Sequence, residues 1–259
     1  MVKMIAIHSS RGGTGKSLIT SNISAILATR GRNVALLDFD FRAPSLLTMF
    51  QAQNSIHRWV NDHIDGKANL EDVMVDVTSR FGTEGRFLVG FANVELDAMR
   101  EIARKDRKWQ MKALKRIMEM KDELADLYDI DTVMVDTSPG IQYSSVNAVV
   151  SSDLSMIVSS MDLLDLEGAQ RIVKDLYRPF KKESYILINK AIPHRLANEE
   201  SKDDLIERIR SMFDQPLIAI IPCYCDILLA QRASLFSLDQ PGHPFTWALT
   251  EVAKRLETS

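Results

Sequence analysis

An apolar run, Met4-Ile5-Ala6-Ile7, leads directly into Ser9-Ser10-Arg11-Gly12-Gly13-Thr14-Gly15-Lys16-Ser17, and a helix-like segment from Leu18 to Thr29 follows. Strand, glycine-rich turn and helix in that order form the unit from which open α/β sheets are wound. The residue types also suit an anion. Glycines let successive backbone N–H groups curl around a phosphate, and the helix adds the positive end of its dipole. Lys16 supplies a mobile charge for β- and γ-phosphates, and the Ser17 hydroxyl supplies an oxygen for a bridging Mg2+. Ser10 stands where the G-x-x-x-x-G-K-S pattern begins with glycine. A turn of purely structural purpose is the competing reading, and the strand before it and the helix after it favour a nucleotide.

Short apolar, β-branched runs recur along the chain at Met4–His8, Asn33–Leu37, Phe87–Phe91, Thr132–Val135, Leu154–Ser159, Ser184–Ile188 and Leu217–Ile221. Helix patterns lie between them, at Ser17–Thr29, about Leu96–Leu127 with a break near Asp106, Tyr143–Ser151, Leu163–Tyr177, Asn198–Phe213 and Phe245–Leu256. In the long helix Leu114, Ile117, Met118 and Leu124 are expected to form the core stripe. The alternation predicts a single doubly wound α/β domain spanning residues 1–259, with a mostly parallel twisted sheet and helices on both faces. Residues 43–70 give the weakest signal, and no repeat or linker marks a second domain.

A chain of 259 residues with 46% hydrophobic content can bury one large core, and its net charge of −3 implies no global attraction to nucleic acid or anionic membrane. Two cysteines, Cys223 and Cys225, cannot make a disulfide framework and suit a reducing compartment. No apolar run approaches the roughly 18 to 20 residues that span a bilayer, so a cytoplasmic, soluble protein is expected.

After the second strand come Asp38 and Asp40, two carboxylates at i and i+2 that point the same way off a strand end. Beside a phosphate cradle, such a carboxylate can order an attacking water. Val133-Met134-Val135-Asp136 ends another strand, where an aspartate suits an outer-shell Mg2+ contact, and Thr137-Ser138-Pro139-Gly140 suits a loop that responds to the γ-phosphate. Asn189 ends a third, Tyr185-Ile186-Leu187-Ile188. Its amide fits a purine edge, and a turn-forming Asn is the alternative.

Taken in order, these segments resemble the MinD/ParA group of P-loop ATPases: the cradle at 10–17, D-x-D at 38–40, D-T-x-P-G at 136–140, Asn189, and Ile220-Ile221-Pro222 near the base-binding loop. The resemblance implies ATP and Mg2+ as ligands. Gly12, Gly13, Thr14, Gly15, Lys16, Ser17 and Leu18 would hold phosphates, with Lys16 catalytic. Asp40 would orient water, Ser17 and Asp136 would serve the metal with help from Asp38, and Asn189 with Pro222 would hold adenine. It also implies an ATP-dependent homodimer with slow hydrolysis. In that group a signature lysine before the paired glycines reaches the partner's phosphates; here Arg11 takes its place, keeping the charge and adding a bidentate fork.

Two alternatives compete. Asp38-Phe39-Asp40-Phe41-Arg42-Ala43-Pro44-Ser45-Leu46 is similar to a segment of polysaccharide-type bacterial tyrosine kinases, although no tyrosine follows Tyr224. Cys223-Tyr224-Cys225 suits a metallocentre-assembly ATPase that shares a metal across a dimer. For partners, a protein activator or cargo adaptor is expected. The basic residues between Arg100 and Lys121, with Trp109 among them, allow nonspecific DNA binding or form a solvated face. Direct membrane binding is disfavoured, because the amphipathic segment from Phe245 falls where the group packs its last core helix.

Overall fold

The computed structural model describes residues 2–230 and 235–259. Its centre is an eight-stranded sheet of order β3-β4-β2-β5-β1-β6-β7-β8. The strands are β1 (Lys3–His8), β2 (Val34–Phe39), β3 (Met74–Asp76), β4 (Phe87–Gly90), β5 (Thr132–Thr137), β6 (Leu154–Ser159), β7 (Glu183–Ala191) and β8 (Leu217–Pro222). Every pairing is parallel except β3 with β4. The principal helices are α1 (Lys16–Thr29), α2 (Leu96–Ala103), α3 (Arg107–Tyr128), α4 (Tyr143–Ser151), α5 (Leu163–Ile172), α6 (Glu199–Met212) and α7 (Pro244–Thr258).

Alternation along each strand sorts the core into two faces. Ile5, Ile7, Leu36, Met134, Met156 and Val158 join α1 and α7 in one cluster. Met4, Ala35, Leu37, Val133 and Val135 pack under α3, while Ala6 and Ile157 pack under α5 and α6. Burial on both faces is why these strands read as unbroken apolar runs. The fold is thus the doubly wound α/β domain that the sequence predicts.

Three local features have physical causes. β3 is an edge strand of three residues and the short helical turns between 46 and 81 have three to six residues each, too few to show a period. The expected break near Asp106 is real, because its carboxylate caps α3 by accepting from the Trp109 N–H at 2.8 Å. The expected stripe on α3 needs correction: Met118 is 54% exposed and Leu114 half-buried, and the core face is Gln110, Ala113, Ile117, Met120 and Leu124. These five recur at three- and four-residue spacing, and the buried Gln110 disguised that register because it is polar.

β1 and β5 lie side by side at the centre. From β1 the chain crosses over to β2, and from β5 it crosses the other way to β6, so strand order reverses between them. Ligands bind at such a switch point, outside the carboxyl ends of the strands.

Candidate functional site

The loop from Ser9 to Gly15 leaves β1 at this switch point and enters α1. Gly13 and Gly15 both hold φ +92°, a conformation that side chains resist. A Cβ on Gly15 would also stand 2.4 Å from Asn189 Nδ2, so a side chain there would strain the backbone and push the Asn189 amide aside. Gly15 precedes the first turn of α1 with no side-chain cap, and the helix's opening N–H groups face the crevice.

Ser10 accounts for the departure from the glycine-first pattern. Its hydroxyl donates to the Asp165 carbonyl at 3.0 Å, and Gly168 of α5 leaves just enough room for its Cβ. The loop is also tied to the segment after β5, since Gly140 N–H donates to the Ser9 carbonyl at 2.8 Å.

A cleft of about 490 Å³ opens over this loop, lined by residues 11–18 together with Asp40, Pro44, Thr48 and Pro139. A second cavity of about 170 Å³ adjoins it through Gly15 and Leu18, and is lined by Asn189, Lys190, Pro222, Cys223, Tyr224, Ile227 and Phe245. The structure therefore gathers the residues expected for phosphates into one recess and Asn189 with Pro222 into the recess beside it.

Charge is concentrated under the cleft. Lys16 Nζ lies 2.6 Å from Asp136 Oδ1, both groups being buried, while Asp136 Oδ2 is buried without a hydrogen-bond partner among the described residues. An orphaned carboxylate oxygen is costly unless a ligand meets it. The Ser17 hydroxyl likewise makes no hydrogen bond among the described residues. These oxygens fit the outer and inner shells of a Mg2+, a hard cation that takes oxygen ligands and keeps water.

Asp40 Oδ1 accepts from the Ser138 hydroxyl at 3.0 Å and from the Ala43 N–H at 3.2 Å, which leaves Oδ2 without a protein partner among the described residues. Asp38 behaves differently. It is fully buried in register with Asp136, and its oxygens accept from the N–H groups of Asp40 at 3.0 Å and Leu46 at 3.4 Å. Burial, with Asp136 alongside, pushes its carboxyl well above the usual range. Asp38 thus holds the segment that carries Asp40.

Arg11 is exposed at the cleft's rim, and its guanidinium has no partner among the described residues. Cys223 is half-buried in the smaller cavity and Cys225 is exposed. Among the described residues no group of three His, Cys, Asp or Glu side chains is placed to hold a metal.

His8, which the sequence did not flag, ends β1 beneath the loop at 136–140. It is fully buried, and its Nε2 donates to the Gly140 carbonyl at 2.8 Å. Burial lowers its pKa to about 4, so it stays neutral. The sequence places Ser138 only within a loop and assigns Lys190 no role; in the structure they reach Asp40 and the Gly13 carbonyl.

The basic stretch is less uniform than its sequence. Lys105, Lys115 and Lys121 pair with acids, and Arg116 donates to the His63 carbonyl. Trp109 is half-buried and donates to Asp65 at 2.7 Å, so it serves packing. Arg104, Arg107, Lys108 and Lys112 are exposed with no ion pair among the described residues. The apolar side of α7 is covered: Phe245, Leu249, Val252, Ala253 and Leu256 are buried in the core cluster that includes α1. No helix among the described residues is long and apolar enough to cross a membrane.

A protein-family model described as an AAA domain matches residues 2–192. An ATP-binding protein of Methanocaldococcus jannaschii is 26% identical over 260 residues, covering 99% of this chain and 88% of that protein. Among solved structures, the septum site-determining protein MinD of Pyrococcus horikoshii, complexed with Mg-ADP, superposes with a TM-score of 0.76 at 20% identity, covering 99% and 96% of the two chains. A ParA family ATPase of Chlorobium tepidum gives a TM-score of 0.74 at 18% identity, with 98% and 99% covered.

Proposed function

Since the chain belongs to the AAA_31 family of AAA domains and is a P-loop ATPase of the MinD/ParA type, we propose that it is a slow, Mg2+-dependent ATP switch, a homodimer when ATP is bound and weakly associated afterwards. The observation that carries this reading is the convergence of the 12–18 backbone, Lys16, Asp40 and an orphaned Asp136 oxygen on one cleft.

Each residue's part follows from its surroundings. Backbone N–H groups of the loop and the α1 terminus receive phosphate oxygens. Lys16, held by Asp136 in this structure, exchanges that carboxylate for the β- and γ-phosphates. Asp40, with one oxygen fixed by Ser138 and Ala43, presents the other to an attacking water. Mg2+ would be held by Ser17 and reached through water by Asp136, and it would neutralise charge on the transferring group. Asn189 and Pro222 border the adenine. The exposed, unpaired Arg11 suits a role on the phosphates of a second copy, where a guanidinium offers two parallel donors.

The cell-level reading is spatial positioning or partitioning of a cargo in the cytoplasm, supported by the likeness to a septum site-determining protein and a ParA family ATPase. A protein activator or cargo adaptor is the expected partner. Nonspecific DNA binding would fall to Arg104, Arg107, Lys108 and Lys112, and direct membrane binding is not expected of α7, whose apolar side is already covered.

Size-exclusion chromatography of an Asp40→Ala variant tests the switch. With Mg2+ and ATP it should elute as a dimer and with ADP as a monomer. A monomer that holds ATP would contradict the dimer reading.

A further inference from the structure

In a regular strand two successive side chains point to opposite faces of the sheet. Asn189 and Lys190 do not. The pairing of β7 with β8 shifts between Ile188 and Ala191, and Lys190 holds φ +56°, a left-handed conformation that non-glycine residues seldom adopt. That irregularity turns both side chains toward the phosphate loop. Asn189 Nδ2 donates to the Thr14 carbonyl at 2.8 Å, and Lys190 Nζ donates to the Gly13 carbonyl at 2.5 Å.

We propose that Lys190 is a positioning residue that, with Asn189, staples two consecutive carbonyls of the phosphate loop and so links the base-side cavity to the phosphate cradle. This rests on the nucleotide reading above. A trans peptide sets its C=O and the following N–H antiparallel, so holding the Gly13 and Thr14 carbonyls aims the N–H groups of Thr14 and Gly15 to the opposite side of the loop. The cradle's donors are thereby oriented before a phosphate arrives, which spares the ligand that ordering. Asn189, Lys190 and Gly15 also form one wall of the base-side cavity, so a base seated there packs against the staple itself. Backbone strain of this kind persists where the surroundings enforce it, and here the surroundings are the two bonds to the loop.

Two substitutions separate staple from fold. Lys190→Gly removes the side chain and relieves the left-handed backbone, while Lys190→Ala removes the side chain alone. The readouts are the Tm, the dissociation constants of ATP, ADP and tripolyphosphate, steady-state KM and kcat, and amide exchange of residues 12–16 in nucleotide-free protein. Lys190→Gly should melt no lower than the parent. Both variants should bind all three ligands about ten-fold more weakly, with kcat/KM for ATP falling at least as far and loop exchange faster. Lys190→Arg, which keeps a donor, should recover part of the affinity.

Parent-like affinities, or loop exchange that does not change, would overturn the staple. Weaker ATP binding with unaltered tripolyphosphate binding would also overturn it, leaving Lys190 as a mere cavity wall. A parent that binds no nucleotide would instead overturn the functional reading, and the exchange data alone would then decide the staple.

Discussion

The larger cleft, proposed for the phosphates, is built chiefly on one unbroken stretch, Ser9 to Leu18, with Asp40, Pro44, Thr48 and Pro139 at its edge, whereas the smaller recess, proposed for the base, draws on side chains from separated segments around Asn189, Pro222–Ile227 and Phe245. The first side is polar and heavily constrained, with two glycines at positive φ and a buried Lys16–Asp136 pair. The second is a small, mainly apolar recess whose shape depends on how β7, β8 and α7 pack. Backbone recognition of an anion demands particular residue types at fixed spacing. Shape recognition of a base accepts many combinations of similar volume.

The difference can be broken by mutation. Lys16→Ala should have the largest effect, abolishing ATP hydrolysis and destabilising the fold by about 3 kcal/mol, since it leaves Asp136 buried without a counter-charge. Denaturant melts with a hydrolysis assay would read both, and unchanged stability would mean that the pair is not formed in solution.

Gly15→Ala strikes the wall that the two sides share. Left-handed backbone together with a contact at 2.4 Å to Asn189 should cost about 2 kcal/mol and weaken binding of ATP and tripolyphosphate alike. Thermal melts and calorimetry would check this.

A large residue on the base side should act more narrowly. Cys223→Trp fills part of the recess and is expected to raise the KM for ATP about ten-fold at constant kcat, while tripolyphosphate binding holds. Equal losses for both ligands would erase the distinction between the two sides.

The smallest effect at neutral pH belongs to His8. Its folded pKa of about 4 lies below its ordinary value of 6.5, so the unfolded chain takes up a proton first as pH falls. Stability should therefore drop between pH 6.5 and 4, by up to about 3 kcal/mol from this residue, with no further contribution below that window. In a His8→Gln variant, whose amide can still donate to Gly140, the loss over that range should be shallower.

The same contrast explains what was legible in the sequence. The doubly wound fold is legible because it rests on a period, and the glycine-rich loop, Asp136 near a strand end and Asp40 just past one stand out through local residue types. The edge strand β3 is not legible, being three residues long. The core register of α3 was misread because Gln110 is polar yet buried. Lys190 carried no sequence signal at all: its meaning comes from a strand irregularity and a loop 177 residues away in the chain. Asn189 stands out in the sequence as a candidate base reader, and in the structure its amide donates to the Thr14 carbonyl of the glycine-rich loop.

On this reading one nucleotide spans both sides. Calorimetric titration of the purified chain with ATP, tripolyphosphate and adenosine, each in the presence of Mg2+, tests it directly. ATP should bind at least about a hundred-fold more tightly than either fragment, because fragments forgo the linkage of the two sides. Tripolyphosphate binding as tightly as ATP would contradict the claim.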